Sequence, residues 1–312
     1  MNEKRVIFVV GPTACGKTEL AVSLAKKLSS LVISADSMQI YRGMHIASAA
    51  PDVFEMQGVE HKLIEFLPYG ESFSVADYVD LARKEIKECL SCGKTPVVAG
   101  GTGLYINALT YNIQFLPDKT DSAVRDRLNA EFDSAGGEAM LARLRKIDSA
   151  AAEKLNVSDK RRIVRALEIY ETSGITKTMQ NDLSMQAPPD FKPIIIGINY
   201  KDRQKLYERI NARVDKMIEN GLLEEAKNAL QNGCAGTAIQ AIGHKELFGY
   251  LNGEQSLDEA VEALKRSTRR YAKRQLTWFN KDSRINWILK DVTPDVYGEA
   301  IKIIESEGKG DA

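Results

Sequence analysis

The 312-residue chain has little that would tie it to a membrane, an oxidising compartment or a permanent metal centre. Four cysteines (Cys15, Cys89, Cys92 and Cys234) are too few for a disulfide framework and point to a reducing compartment. Cys89 and Cys92 form a C-x-x-C without a second pair or a His pair, so packing at a helix end is expected of them rather than zinc. The three histidines, His45, His61 and His244, are too scattered to outline a metal site. No hydrophobic run is long enough to span a bilayer, and the apolar stretch near the start is too short for a secretory signal. Net charge is missing too. Lys+Arg and Asp+Glu both total 43, so bulk attraction to nucleic acid or membrane is not indicated and any basic surface must be local. The expectation is a cytoplasmic protein with no membrane attachment.

What is present starts with Gly11-Pro12-Thr13-Ala14-Cys15-Gly16-Lys17-Thr18, a complete G-x-x-x-x-G-K-[ST] pattern. Residues 6–10 before it are apolar and β-branched, as a buried parallel strand would be. After it, Leu20, Leu24 and Leu28 share one helical face. A strand–loop–helix frame predicts a phosphate-binding loop. Backbone N–H groups wrap phosphate oxygens, Lys17 adds a point charge, and the Thr18 hydroxyl can hold Mg²⁺. The loop predicts a di- or triphosphate and leaves its identity open. Cys15, among N–H donors near a helix start, is expected to be an alkylation-sensitive thiolate.

Segments 31–35, 95–99 and 193–200 read as further buried strands that run into polar or glycine-rich turns, and 285–289 is strand-like. Helical patterns fill the intervals. They include 74–90 with Ser74 and Asp77 as a capping box, a helix after Asp202, and a long helix over 257–279. This alternation predicts an α/β fold whose parallel sheet binds ligands at the carboxyl ends of its strands, where the phosphate loop, Asp36 and Thr102 would converge. Residues 117–189 hold only helical patterns, punctuated by Gly136-Gly137 and Ser173-Gly174. The expected architecture is a P-loop NTPase-like parallel-sheet core, 1–116 with 190–312, carrying an inserted all-helical lobe, 117–189. The polar end, 305–312, is expected to fray.

Positive charge is clustered. Lys265, Arg266, Arg269, Arg270, Lys273 and Arg274 fall within roughly half the circumference of a helix at about 100° per residue. Val261, Leu264, Tyr271, Ala272, Trp278 and Phe279 take the other arc. Arg161, Arg162 and Arg165 form a second cluster on a helix whose Leu167 and Tyr170 would pack inward. Two such strips suit a polyanion; solvated faces laced with salt bridges are the alternative. Asp36, directly after a strand, is placed to act as a base, to hold a metal ion, or to serve as a turn residue. Thr102 stands at another strand end, with turn chemistry as its alternative. Arg213, four residues after Arg209, is placed for a leaving phosphate or a surface carboxylate. Gln240-Ala241-Ile242-Gly243-His244-Lys245 is a small-residue turn carrying polar hooks.

Several runs are more specific than the phosphate loop. They are Asp36-Ser37-Met38-Gln39-Ile40-Tyr41-Arg42-Gly43-Met44, Gly100-Gly101-Thr102-Gly103-Leu104-Tyr105, and Arg162-Ile163-Val164-Arg165-Ala166-Leu167-Glu168. Residues 240–246 and Tyr271-Ala272-Lys273-Arg274-Gln275-Leu276-Thr277-Trp278-Phe279 complete the set. With the loop at 11–18, they resemble the tRNA dimethylallyltransferase (tRNA isopentenyltransferase) family over nearly the whole chain. The resemblance implies that the loop binds dimethylallyl diphosphate with Mg²⁺ on Thr18, and that the acceptor is N6 of the adenine 3′ of a tRNA anticodon. It implies Asp36 as general base, Thr102 as a positioning group, and Lys17, Thr18 and Arg213 as stabilisers of the departing diphosphate. It also implies that Asp36, Ser37, Met38, Gln39, Thr102, Arg125, Arg161, Arg162, Ile163, Val164 and Arg165 face the tRNA anticodon stem-loop. Gln240, Ala241, Ile242, Gly243, His244 and Lys245 are implied there as well, on a monomeric enzyme. The chain departs from the family's usual pattern at Cys15 (Ser), Ala50 (Lys) and His244 (Tyr). Rival readings are alkylation of free AMP, ADP or ATP, and a P-loop small-molecule kinase.

Overall fold

A computed structural model describes residues 4–115, 122–184, 187–232 and 238–307. The chain divides into two compact units, residues 1–110 with 190–312 and residues 111–189. The first division falls after Thr110, ahead of the break expected at 116.

The larger unit is built on six parallel strands: β1 (Arg5–Val10), β2 (Val32–Ser34), β3 (His61–Lys62), β4 (Val97–Gly100), β5 (Lys192–Asn199) and β6 (Asn286–Leu289). Their order is β3-β2-β4-β1-β5-β6. Residues 6–10 of β1 are wholly buried, which explains a strand apolar at every position rather than alternating. Ile7, Val9, Ile194, Ile196 and Ile288 from the sheet pack with Leu20, Leu24, Ile210 and Ala272 from covering helices. Each such branched side chain contributes about 1.5–3 kcal/mol by leaving water. The two-residue β3 is the strand the sequence does not announce. It exists through pairing of Val32 with His61 and Ile33 with Lys62, and is too short to carry a periodicity.

Pairing register places the site. Val10 is opposite Gly100, and Ser34 is opposite Ala99, so the carboxyl ends of β1, β4 and β2 lie side by side. The loops leaving them carry the phosphate-loop sequence, Gly101-Thr102 and Asp36. Helix starts follow their caps. Ser74 and Asp77 form the capping box of helix Val75–Ser91, and Asp202 accepts from Gln204 N (2.8 Å) at the start of Arg203–Glu219. Helix Leu257–Phe279 opens on Ser256 and Glu259. Cys89 is buried on helix Val75–Ser91 beside Ser30 Oγ (3.3 Å), and burial raises its pKa; Cys92 caps the helix end. Cys234 lies outside the described residues. Residues 305–307, expected to fray, close a helix, Val296–Glu307.

The smaller unit holds helices Ser122–Ile147, Ser149–Ala152, Lys160–Ser173 and Lys177–Ser184. The first is interrupted at Gly136 (φ 83°, ψ 162°). Its core gathers Leu128, Met140, Leu141, Leu144, Ile163, Val164 and Leu167. Tyr170 does not join it: the ring is 38% exposed, and Ile169 is buried instead. No helix among the described residues is long and apolar enough to cross a membrane.

Candidate active site

The phosphate loop links β1 to helix Lys17–Lys27. Gly11 has φ +144°, and a Cβ there would stand 2.3 Å from Ile198 O, so no other residue fits. Lys17 Nζ donates to Pro12 O at 2.7 Å. Burial lowers the Lys17 pKa; the nearby Arg213 charge adds to that effect, while Asp36 opposes it. A half-buried ammonium with one carbonyl partner is a strong site for an anion. Cys15 departs from its expected reactivity. Its thiol is fully buried in the core against the sheet, so an alkylating agent has no access.

Two arginines on helix Arg203–Glu219 close over the loop. Arg209 Nε donates to Ala14 O (3.1 Å), and Arg213 Nη1 donates to Thr13 Oγ1 (3.2 Å). Burial lowers the Arg213 pKa, with Glu55 and Asp36 pulling the other way. No carboxylate lies in ion-pair contact with Arg213 among the described residues, so the salt-bridge alternative does not hold.

Across from the loop, Asp36 Oδ1 accepts from Met38 N at 2.9 Å in a tight turn. Its Oδ2 has no hydrogen-bond partner among the described residues. Thr102 Oγ1 accepts from Ser37 N (3.0 Å) and lies 3.4 Å from Ser37 Oγ. Tyr271 lines the same cleft, and burial pushes its pKa up. Gln39 is held at both ends, by Ser34 Oγ (2.7 Å) and Ala49 O (3.1 Å). Thr13, Lys17, Thr18, Asp36, Ser37, Met38 and Arg213 all line one cleft of about 790 Å³.

The residues expected to face tRNA separate into those presented to solvent and those buried. Gln240 and Lys245 are exposed and, with Ile242, line the cleft. Ala241, Gly243 and His244 are buried, contrary to expectation. His244 Nε2 is 2.9 Å from Glu225 Oε1, and Glu225 also accepts from Ile46 N (2.7 Å) and Ala47 N (2.9 Å). The histidine therefore braces a wall of the cleft from behind. Ile163 and Val164 are likewise core residues, 0% and 3% exposed, because helical spacing puts them on the apolar face of Lys160–Ser173. Arg161 and Arg162 are exposed. Arg125 and Arg165 are bound to the buried Glu168, at 3.0 and 2.9 Å.

The long helix shows the same division. Lys265 pairs with Asp215 (2.8 Å) and Glu262 (3.3 Å), and Arg269 donates to Asn211 (2.6 Å). Arg266, Arg270, Lys273 and Arg274 are exposed, with no carboxylate in contact among the described residues. Sequence reasoning passed over Glu225 and Gln275 as site residues. The signal available was a polar residue at a core-facing helical position, and Gln275 is 5% exposed.

The family profile described as IPP transferase matches residues 39–282. The tRNA dimethylallyltransferase of Acetivibrio thermocellus is 48% identical over 288 residues, covering 92% of both chains. The crystal structure of a full-length tRNA isopentenylpyrophosphate transferase from Bacillus halodurans aligns with a TM-score of 0.71 at 41% identity, covering 98% of each chain. A eukaryotic dimethylallyltransferase acting on tRNA aligns with a TM-score of 0.80 at 27% identity, covering 97% of this chain and 79% of that one. The parallel sheet, the phosphate loop and the cleft they build are thus those of a transferase, and the chain belongs to the IPP transferase family.

Proposed function

We propose that this protein transfers the dimethylallyl group of dimethylallyl diphosphate to N6 of the adenine 3′ of a tRNA anticodon, releasing diphosphate. The observation that carries this reading is the shared cleft: Asp36, with Oδ2 unpartnered, lines the same wall system as the phosphate loop. The bond between the allylic carbon and the diphosphate oxygen breaks, and its electron pair leaves with the diphosphate. Loop N–H groups, Lys17 and Arg213 meet that growing negative charge. The N6 lone pair forms the new C–N bond, and the N6 proton passes to Asp36. Because that lone pair is delocalised into the ring, alignment matters as much as proton removal, and Thr102 supplies a hydroxyl beside Asp36 for it.

Thr18 lines the cleft beside Lys17, and its hydroxyl oxygen is of the hard donor type that would hold magnesium there. A magnesium ion at that place would supply charge neutralisation for the diphosphate. Gln240, Lys245, Arg161, Arg162 and the outer face of helix Leu257–Phe279 are assigned to tRNA, phosphate contacts fixing its position. Unstacking the adenine costs a few kcal/mol and is cheapest in a loop. We assign the protein to the cytoplasm as a monomer. Labelled dimethylallyl diphosphate offered with tRNA, with AMP, or with neither tests the reading. Label must appear in tRNA alone; transfer to AMP, or consumption of ATP, would overturn it.

A further inference from the structure

Gln275 sits on the buried side of helix Leu257–Phe279 and reaches two loops at once. Its Oε1 accepts from Thr13 N at 2.8 Å, and its Nε2 donates to Gly101 O at 3.1 Å. A Cβ on Gly101 would come within 2.1 Å of that nitrogen, so the glycine is what admits the amide. The two partners also settle which amide atom is which, since one can only donate and the other only accept. No other uncharged side chain of this length offers an acceptor and a donor on one planar group.

The connections continue outward on both sides. Thr13 Oγ1 accepts from Arg213, the cation assigned to the leaving group. Gly101 precedes Thr102, whose Oγ1 accepts from Ser37 N beside Asp36. Tyr271, one turn before Gln275 on the same helix, lines the cleft with Thr13 and Asp36. Donor side and acceptor side therefore meet in one carboxamide. We infer that Gln275 is a positioning residue, which holds the phosphate loop and the Asp36–Thr102 turn in register for transfer. It touches no reacting atom. The inference rests on the dimethylallyl-transfer reading and adds to it the part that sets the distance between the two substrates.

The test uses Gln275→Met and Gln275→Glu in the full chain, with single-turnover transfer at saturating donor and tRNA. Thermal melts and separate binding measurements for each substrate accompany it. Gln275→Met should slow transfer by about 10–100-fold, as a misplacement of order 1 Å does, with both affinities within about threefold. Gln275→Glu gives a signature that a merely structural role would not. As a carboxylate it lacks the donor and faces the Gly101 carbonyl; protonated, it again presents one donor and one acceptor. Its rate relative to wild type at the same pH should therefore recover by about tenfold between about pH 8 and pH 5.5, as the buried carboxyl takes up its proton. Tyr271 stays neutral throughout, because burial raises its pKa. A pH-independent ratio, or Gln275→Met within threefold of wild type, overturns the inference. If Gln275→Met fails to fold, the Gln275→Glu ratio decides alone. Wild-type protein that labels no tRNA overturns the function and this inference together, whereas active wild type with unimpaired variants overturns only the inference.

Discussion

The two compact units use their cations differently. In the smaller unit, Arg125, Arg127, Arg143, Lys160 and Arg165 are engaged with Glu168, Glu131, Glu171 and Asp133. Around the cleft of the larger unit, Lys17, Arg209 and Arg213 bond only to backbone carbonyls or a hydroxyl. Arg266, Arg270 and Arg274 on its long helix carry no carboxylate partner among the described residues. The larger unit pairs cations elsewhere, as at Lys62, Lys265, Arg284 and Lys290, but leaves Lys17, Arg209 and Arg213 at its cleft without a carboxylate partner among the described residues. The small unit has a modest apolar core and uses ion pairs to fix its helices; the large unit has a buried sheet and can leave charge for a ligand.

That contrast breaks most visibly at Asp36. Asp36→Asn should lower single-turnover transfer by about 10²–10⁴-fold while donor binding, tRNA binding and the melting temperature stay close to wild type. A rate within threefold would remove the carboxylate from the chemistry. The free charges of the long helix come next. Replacing Arg266, Arg270 and Arg274 together by Gln should weaken tRNA binding almost independently of sequence. Each lost contact should also flatten the log–log salt dependence by about one unit, or somewhat less on unpaired strands. Filter binding across a salt series measures this, and an unchanged slope would make the helix an ordinary solvated face.

Much of the fold was legible in the sequence, but the pairing of its charges was not. Local signals held well. The phosphate loop, the capping residues Ser74 and Asp202, and the helix over 257–279 are encoded within a few neighbouring residues, which is where periodicity and capping rules operate. Motif runs misled wherever a run wraps around a helix or turn. Ile163 and Val164 lie between exposed arginines yet point into the core, and His244 lies between cleft residues yet points at Glu225. A contiguous string cannot show which of its members face a ligand; the fold decides that by rotation of 100° per residue. Pairing was invisible for a related reason, since Arg165 looks as free as Arg162 until Glu168 is placed. Gln275 was hidden by distance, its partners lying 262 and 174 residues away.

Within the small unit the same contrast gives a smaller effect. Arg125→Gln with Arg165→Gln leaves Glu168 buried without its cations and should destabilise the unit by about 1–3 kcal/mol. Arg161→Gln with Arg162→Gln should change stability by no more than about 0.5 kcal/mol and instead flatten the salt dependence of tRNA binding. Thermal melts and salt titrations of the two double variants separate structural cations from contacting ones. Equal melting temperatures would show that Glu168 does not need its partners.

The smallest effect expected concerns a second aspartate, the structural counterpart of Asp36. Asp148 Oδ1 accepts from Ala151 N (3.0 Å) and Thr178 Oγ1 (2.7 Å), and Oδ2 accepts from Thr178 N (2.8 Å). Burial alone would raise its pKa, but the Thr178 and Ala151 hydrogen bonds to the carboxylate outweigh burial and lower it. The folded pKa is therefore below the unfolded one. The unfolded chain takes up the proton first as pH falls, so the stabilisation is complete above the unfolded value and is lost as pH drops through the folded value. Asp148→Asn keeps one acceptor and removes the charge. Its deficit in melting temperature should be widest at about pH 6 and should narrow steadily toward about pH 3, because wild type loses its advantage as Asp148 protonates. A deficit that does not change with pH would mean that shape, not charge, ties the Ser149–Ala152 helix to Thr178. Transfer activity near neutral pH should be untouched, which sets this aspartate apart from Asp36: one carboxylate is saturated by its own protein, and the other keeps an oxygen without a hydrogen-bond partner among the described residues.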